Sequence, residues 1–135
     1  MKPYKILIIE DDPVIQSELE ILLRGNGYTA VSVKDFSKVN DTFRAEDPHL
    51  VLLDIKLPNE SGFSICSQIR SNSNVPIIFV TSCNTDMDEL NSIMLGGDAF
   101  ITKPYHTAIL LAKIASLLKR SYPVQQNEQM VYGAT

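Results

Sequence analysis

Ile6-Leu7-Ile8-Ile9-Glu10-Asp11-Asp12-Pro13 sets four consecutive apolar residues against three acids and a proline. An apolar run without alternation is what a strand needs when both its faces are covered, as in a parallel sheet. Pro13 behind Asp12 then starts a helix, because Asp12 can supply the capping oxygen and proline suits the first helical position. Ile15, Leu19, Leu22 and Leu23 follow at the spacing of one helix face. Gly25 and Gly27 bracket the end of that helix. The stretch reads as a β-α unit with its acids at the carboxyl end of the strand.

Working outward, Leu50-Val51-Leu52-Leu53 and Ile77-Ile78-Phe79-Val80 repeat the continuous apolar pattern, and 28–33 and 99–102 are weaker strand candidates. Leu110, Ile114, Leu117 and Leu118 predict a last helix. Strand starts near 5, 28, 49, 76 and 98 give a β-α unit about every 22 residues. The residues themselves do not repeat. Right-handed crossovers between such units put helices on both faces, which is a doubly wound α/β fold. Ligands in these sheets bind outside the carboxyl ends of the strands.

At 135 residues, 44% of them hydrophobic, the chain suits one domain with a real core. No apolar run approaches the roughly 18 residues of a membrane span, and the N-terminal run is too short for a signal peptide, so a cytoplasmic location is expected. The net charge of −4 argues against this segment gripping a nucleic-acid backbone by itself. Cys66 and Cys83 give neither a disulfide framework nor a metal spacing. Both read as ordinary small residues, Cys83 with a secondary claim as a modulator of the nearby strand end. His49, before the third strand, and His106, opening the last helix, are not placed as ligands or phosphocarriers.

The strand ends carry the chemistry. The first ends in Glu10-Asp11-Asp12, the third in Asp54, the fourth in Thr81-Ser82, and the fifth runs into Lys103-Pro104. Acids after a strand often cap helices, Thr and Ser often end strands, and Lys-Pro often turns, so each element alone is ordinary. Together they deliver three or more acids, hydroxyls and one lysine to a single rim. Clustered carboxylates raise each other's pKa unless a cation neutralises them. Mg²⁺, which takes oxygen ligands from one or two carboxylates and phosphate, fits better than zinc. The lysine and hydroxyl then suit a phosphoryl group.

This pattern resembles the receiver domain of two-component response regulators over residues 5–120. The matching motifs are ILIIEDD at 6–12, DIKLPNESGF at 54–63, PIIFVTS at 76–82 and GGDAFITKPY at 96–105. The resemblance implies a flavodoxin-like (βα)5 sheet of strand order 2-1-3-4-5. It implies Asp54 as the acceptor of a phosphoryl group from a sensor histidine kinase. Mg²⁺ would be held by Asp11, Asp54 and the Lys56 carbonyl, with Glu10 acting through water. Lys103 would pair with the phosphoryl group, and the small Ser82 would leave it room. Thr81 would be the switch hydroxyl and Phe100 the rotating aromatic, with a plain core aromatic on an edge strand as the lesser alternative for Phe100. Such a domain is an acceptor with at most slow self-dephosphorylation, not a turnover enzyme.

The last helix resembles that of OmpR/PhoB-type transcription regulators. Those dimerise through the face of the fourth helix, fifth strand and fifth helix, where Lys113 and Asp98 would lie, and carry a C-terminal DNA-binding domain. Ile109 and Ala99 stand where that group usually has Glu and Asp, so two charged dimer contacts are missing. Residues 121–129 (SYPVQQNEQ) read as a linker, and 130–135 as the start of a truncated second domain; a stand-alone receiver is the alternative. An aspartate-nucleophile phosphatase would want an acid at Lys56, and a flavin domain a Gly- and hydroxyl-rich loop at 10–12. A degenerate receiver would not keep Asp11, Asp54, Thr81 and Lys103 together.

Overall fold

In the computed structural model, which describes residues 3–123, the five apolar runs all become strands. The order along the chain is β1 (Lys5–Ile9), α1 (Pro13–Gly25), β2 (Thr29–Ser32), α2 (Val39–Glu46) and β3 (Leu50–Leu53), then α3 (Gly62–Arg70), β4 (Ile77–Thr81), α4 (Asp86–Met94), β5 (Ala99–Thr102) and α5 (Thr107–Ser121). The strands form one sheet in the order β2-β1-β3-β4-β5, with every neighbouring pair parallel. That is the flavodoxin-like arrangement the sequence led us to expect.

The continuous runs are continuous because both faces are covered. Ile6, Ile8, Leu50, Leu52, Ile78 and Val80 point to a cluster filled by Leu19 and Leu23 of α1 and Leu110 and Ile114 of α5. Leu7, Ile9, Val51, Leu53, Ile77 and Phe79 point to the other face, against Val39 of α2 and Ile65, Cys66 and Ile69 of α3. Fully burying one such side chain contributes about 1.5–3 kcal/mol, so the central strands dominate the stability of the domain.

Asp12 caps α1 by accepting from the Val14 N–H at 2.9 Å, as its place before Pro13 predicted. The helices α2, α3 and α4 carry shorter or less regular apolar patterns. In α4 only Ser92 is buried, while Met87, Leu90, Ile93 and Met94 are exposed. At the other end of the domain α5 runs to Ser121 and delivers Tyr122 onto the sheet. The Tyr122 hydroxyl donates to the His49 carbonyl at 2.9 Å. Its ring lies 5.6 Å from that of Tyr4 and 5.3 Å from that of His49. The first two residues of the segment read as a linker therefore belong to the folded domain. Residues 124–135, with the rest of that segment and the expected second-domain start, lie outside the described residues.

Candidate functional site

Strand register brings the chemical residues together. Ile9 pairs with Leu53, and the Asp54 N–H donates to the Ile9 carbonyl at 3.0 Å, so Glu10 and Asp54 leave the sheet side by side. Thr81 pairs with Thr102, and the Lys103 N–H donates to the Thr81 carbonyl at 2.9 Å, so Thr81 and Lys103 do the same. The Lys103 ammonium then crosses the rim. It donates to Asp54 Oδ2 at 3.0 Å and also to Glu10 Oε1. Glu10, Asp54 and Thr81 are buried although polar, and each has a hydrogen-bond partner, as burial demands.

The loop after β1 is held at both ends. Glu10 Oε2 accepts from the Asp12 N–H at 3.1 Å, and the Gln16 side-chain amide donates to the Glu10 carbonyl. Gln16 was not singled out in the sequence, because nothing in its spacing marks it. Asp11 differs from its neighbours: it is exposed, and no residue among those described donates to its carboxylate. One carboxylate oxygen each from Glu10, Asp11 and Asp54 lie within 4.8 Å of one another. Three acids facing one ammonium leave negative charge to neutralise, and all the donors are oxygens. This is an acidic pocket suited to a hard divalent cation such as Mg²⁺.

Burial pushes the Glu10 carboxyl above its ordinary value, and the adjacent Asp54 charge adds to the rise; Lys103 and the Asp12 N–H pull in the other direction without cancelling it. For Lys103, burial works to lower the ammonium, but its hydrogen bonds to Glu10 and Asp54 outweigh this and hold it above the usual lysine range. Lys103 is therefore a fixed positive charge at the site.

Asp54 is also positioned from below by α3. A Cβ built on Gly62 would sit 2.0 Å from the Asp54 carbonyl oxygen, and the Gly62 N–H donates to the Ile55 carbonyl at 2.7 Å. Only glycine lets the first turn of α3 approach the backbone that carries Asp54 so closely. Asp54 Oδ1 accepts from the Ile55 N–H at 2.7 Å. The sequence showed Gly62 only as one member of a motif.

The remaining predicted residues are placed as follows. Thr81 Oγ1 accepts from the Cys83 N–H at 3.1 Å, which ties the hydroxyl to the loop leading into α4. Ser82 and Lys56 are exposed at the rim. Phe100 is half-buried against the core face that α2 and α3 cover. His106 precedes α5 without a side-chain capping bond. Lys113 is exposed on α5. Asp98 is not free, because its Oδ2 accepts from Arg70 Nη2 at 2.9 Å and from the Ile77 N–H at 2.8 Å. The Lys103–Pro104 peptide bond is cis. An apolar groove of about 700 Å³ lies beside Lys103, lined by Ile15, Ile21 and Leu22 of α1 and by Pro104, Tyr105 and Thr107.

A family model described as the response regulator receiver domain matches residues 6–115. The chain belongs to that family. Among curated relatives, the response regulator protein GraR of Staphylococcus aureus is 38% identical over 125 residues, 93% of this chain and 56% of GraR. The chain thus spans about half the length of the curated relatives it matches. The N terminal domain of the nisin resistance regulator NsrR is 40% identical with a TM-score of 0.78, covering 85% of this chain and 97% of that one. The BeF3-activated N-terminal receiver domain of Klebsiella pneumoniae RstA is 31% identical with a TM-score of 0.82, covering 85% and 98%. This receiver domain is thus a two-component system module, and sensor kinases are the partners of such modules. Among the described residues, no helix is long and apolar enough to cross a membrane.

Proposed function

We propose that this receiver domain takes a phosphoryl group on Asp54 from the phosphohistidine of a sensor histidine kinase, in the presence of Mg²⁺, and so controls a DNA-binding effector domain. The observation that supports this reading most is the Lys103 ammonium between Glu10 and Asp54, with the Asp11 carboxylate beside them taking no hydrogen bond among the described residues.

The Asp54 carboxylate attacks phosphorus as the bond to the donor imidazole breaks, and the imidazole leaves with the electron pair. The product is an acyl phosphate. Lys103 already lies against Asp54 Oδ2 and needs little movement to pair with an incoming phosphoryl oxygen. Phosphoryl transfer asks a protein mainly for such alignment and charge stabilisation. Asp11, Asp54 and the Lys56 carbonyl would hold Mg²⁺, with Glu10 acting through water. When bound, Mg²⁺ draws charge from the phosphoryl oxygens and relieves their repulsion by the acids. Thr81 gives up the Cys83 N–H to bond a phosphoryl oxygen, and Phe100 turns into the space released. The new contacts bias one arrangement of the loop and α4 over another.

The reading makes the domain a phosphoryl acceptor with at most slow self-dephosphorylation, acting in the cytoplasm. The output face is α4-β5-α5, where Met87, Leu90, Met94 and Ile109 are exposed; phosphorylated copies pair there. A phosphorylation-independent receiver is the second reading, and the complete rim set weighs against it.

Intact mass after incubation with Mg²⁺ and acetyl phosphate tests the proposal. One phosphoryl adduct is expected, lost without Mg²⁺ and absent in Asp54→Asn. No adduct in the wild type favours a receiver switched by protein contacts alone. An adduct that persists in Asp54→Asn moves the acceptor to another residue.

A further inference from the structure

The two ends of α4 are attached differently. At the C-terminal end, the turn from Leu95 to Asp98 is held by α3 and β4. The Arg70 guanidinium donates through Nε to the Gly96 carbonyl at 2.9 Å, through Nη1 to the Val75 carbonyl at 2.7 Å, and through Nη2 to Asp98 Oδ2 at 2.9 Å. Asp98 closes a reciprocal pair with Ile77, each donating its N–H to the other at 2.8 Å. The Cys66 thiol lies 3.4 Å from the Leu95 carbonyl. Gly97 donates to the Ser92 carbonyl at 2.8 Å, and Ser92 is the buried residue of α4. The fit is close: a Cβ on Gly96 would lie 2.9 Å from Arg70 Cγ and Nε.

Nothing comparable holds the N-terminal end. Thr85 and Asp88 form a capping box within the helix. Met87 and Leu90 are exposed. Among the described residues, the side-chain hydrogen bonds from 84 to 91 stay inside α4 and its cap. The one hydrogen bond from that end to the rim, among the described residues, is the Cys83 N–H on Thr81 Oγ1.

We infer that α4 is a lever with a built-in pivot: Arg70 is a positioning residue that pins the α4-β5 turn, so that release of Cys83 by Thr81 moves only the N-terminal end of the helix. This rests on the proposed phosphorylation of Asp54 and adds where its effect stops. Arginine suits the role because its planar fork serves four carbonyl or carboxylate acceptors at fixed angles, the Ser73 carbonyl at 3.4 Å among them, which a lysine ammonium does not reproduce.

Hydrogen exchange read by mass spectrometry, on the 135-residue protein with Mg²⁺ and with or without acetyl phosphate, tests the lever. In the wild type, exchange in 82–91 changes on phosphorylation while 92–99 stays as it was. Arg70→Lys keeps the charge but lets 92–99 exchange about tenfold faster and respond to phosphorylation. Asp98→Asn, which removes one contact and spares the α3 side, gives the same response more weakly. A wild type in which 92–99 changes as much as 82–91 overturns the inference. So does a folded Arg70→Lys with the wild-type pattern. Intact mass on the same samples separates the two levels: an adduct with a moving turn defeats the pivot alone, and no adduct defeats the phosphoacceptor reading and the lever with it.

Discussion

The two edges of the sheet are built to opposite ends. At the carboxyl edge, buried Glu10 and Asp54 share one lysine, and exposed Asp11 is left over; the edge is short of positive charge. At the amino edge, Tyr4, His49 and Tyr122 pack their rings together, His49 edge-on to both tyrosines, and His49 Nδ1 accepts from the Lys5 N–H at 2.9 Å. That edge is complete within the chain. Burying unbalanced charge costs stability unless a partner neutralises it, so the carboxyl edge spends what the amino edge and the core supply. Stability and chemistry are thus held by different residues, and substitutions should separate them.

The largest separation is expected at Asp54. Asp54→Asn should abolish the phosphoryl adduct while leaving the fold intact, measured by intact mass beside circular dichroism. A variant that loses its fold as well would erase the division between the edges. Gly62→Ala strikes where chemistry and packing meet. Its methyl has no space against the Asp54 carbonyl, and overpacking of this kind costs about 1–3 kcal/mol. Chemical denaturation should show that loss, with slower adduct formation alongside. Tyr122→Ala should do the reverse of Asp54→Asn. Loss of a half-buried ring and its hydrogen bond to His49 should cost about 2 kcal/mol, with the adduct yield unchanged.

The smallest effect sharpens the comparison through pH. Burial raises the Tyr122 hydroxyl above its ordinary value, with the Asp47 charge and Tyr4 adding to the shift. The neutral hydroxyl's contribution is therefore fully present below the unfolded tyrosine value of about 10 and is lost as pH rises through the higher folded value. Thermal melts should show the wild type losing stability above about pH 10 more steeply than Tyr122→Phe. Equal slopes would mean that the hydroxyl does not help close this edge.

How much of this was legible depended on whether the signal was local. The central strands were plain because each needs apolar residues on both faces, and Asp12-Pro13 marked its helix start within two residues. The rim followed from the fold, since Glu10, Asp54, Thr81 and Lys103 all sit at strand ends. The pivot did not, because Arg70 finds Val75, Gly96 and Asp98 across three segments, and an arginine near the end of a helix looks like any solvated cation. Tyr122 sat in a polar run and looked like linker. Its place is decided by Tyr4 and His49, 118 and 73 positions away. The Gly62 contact was hidden for a related reason: closeness of backbone to backbone leaves no periodic trace.

Fifteen residues of α5 separate the lysine loop from Tyr122, and at the ordinary helical rise they carry the chain about 22 Å. Because the aromatic cluster fixes where that journey ends, the main chain at Tyr122 is delivered to the opposite pole from the lysine rim. Tyr122 itself stands a full helix length from the rim where, on the proposed reading, the acyl phosphate forms. A phosphoryl group placed at that rim would act on the far pole sideways, across the flank of the domain, as a change of outline and not as a charge.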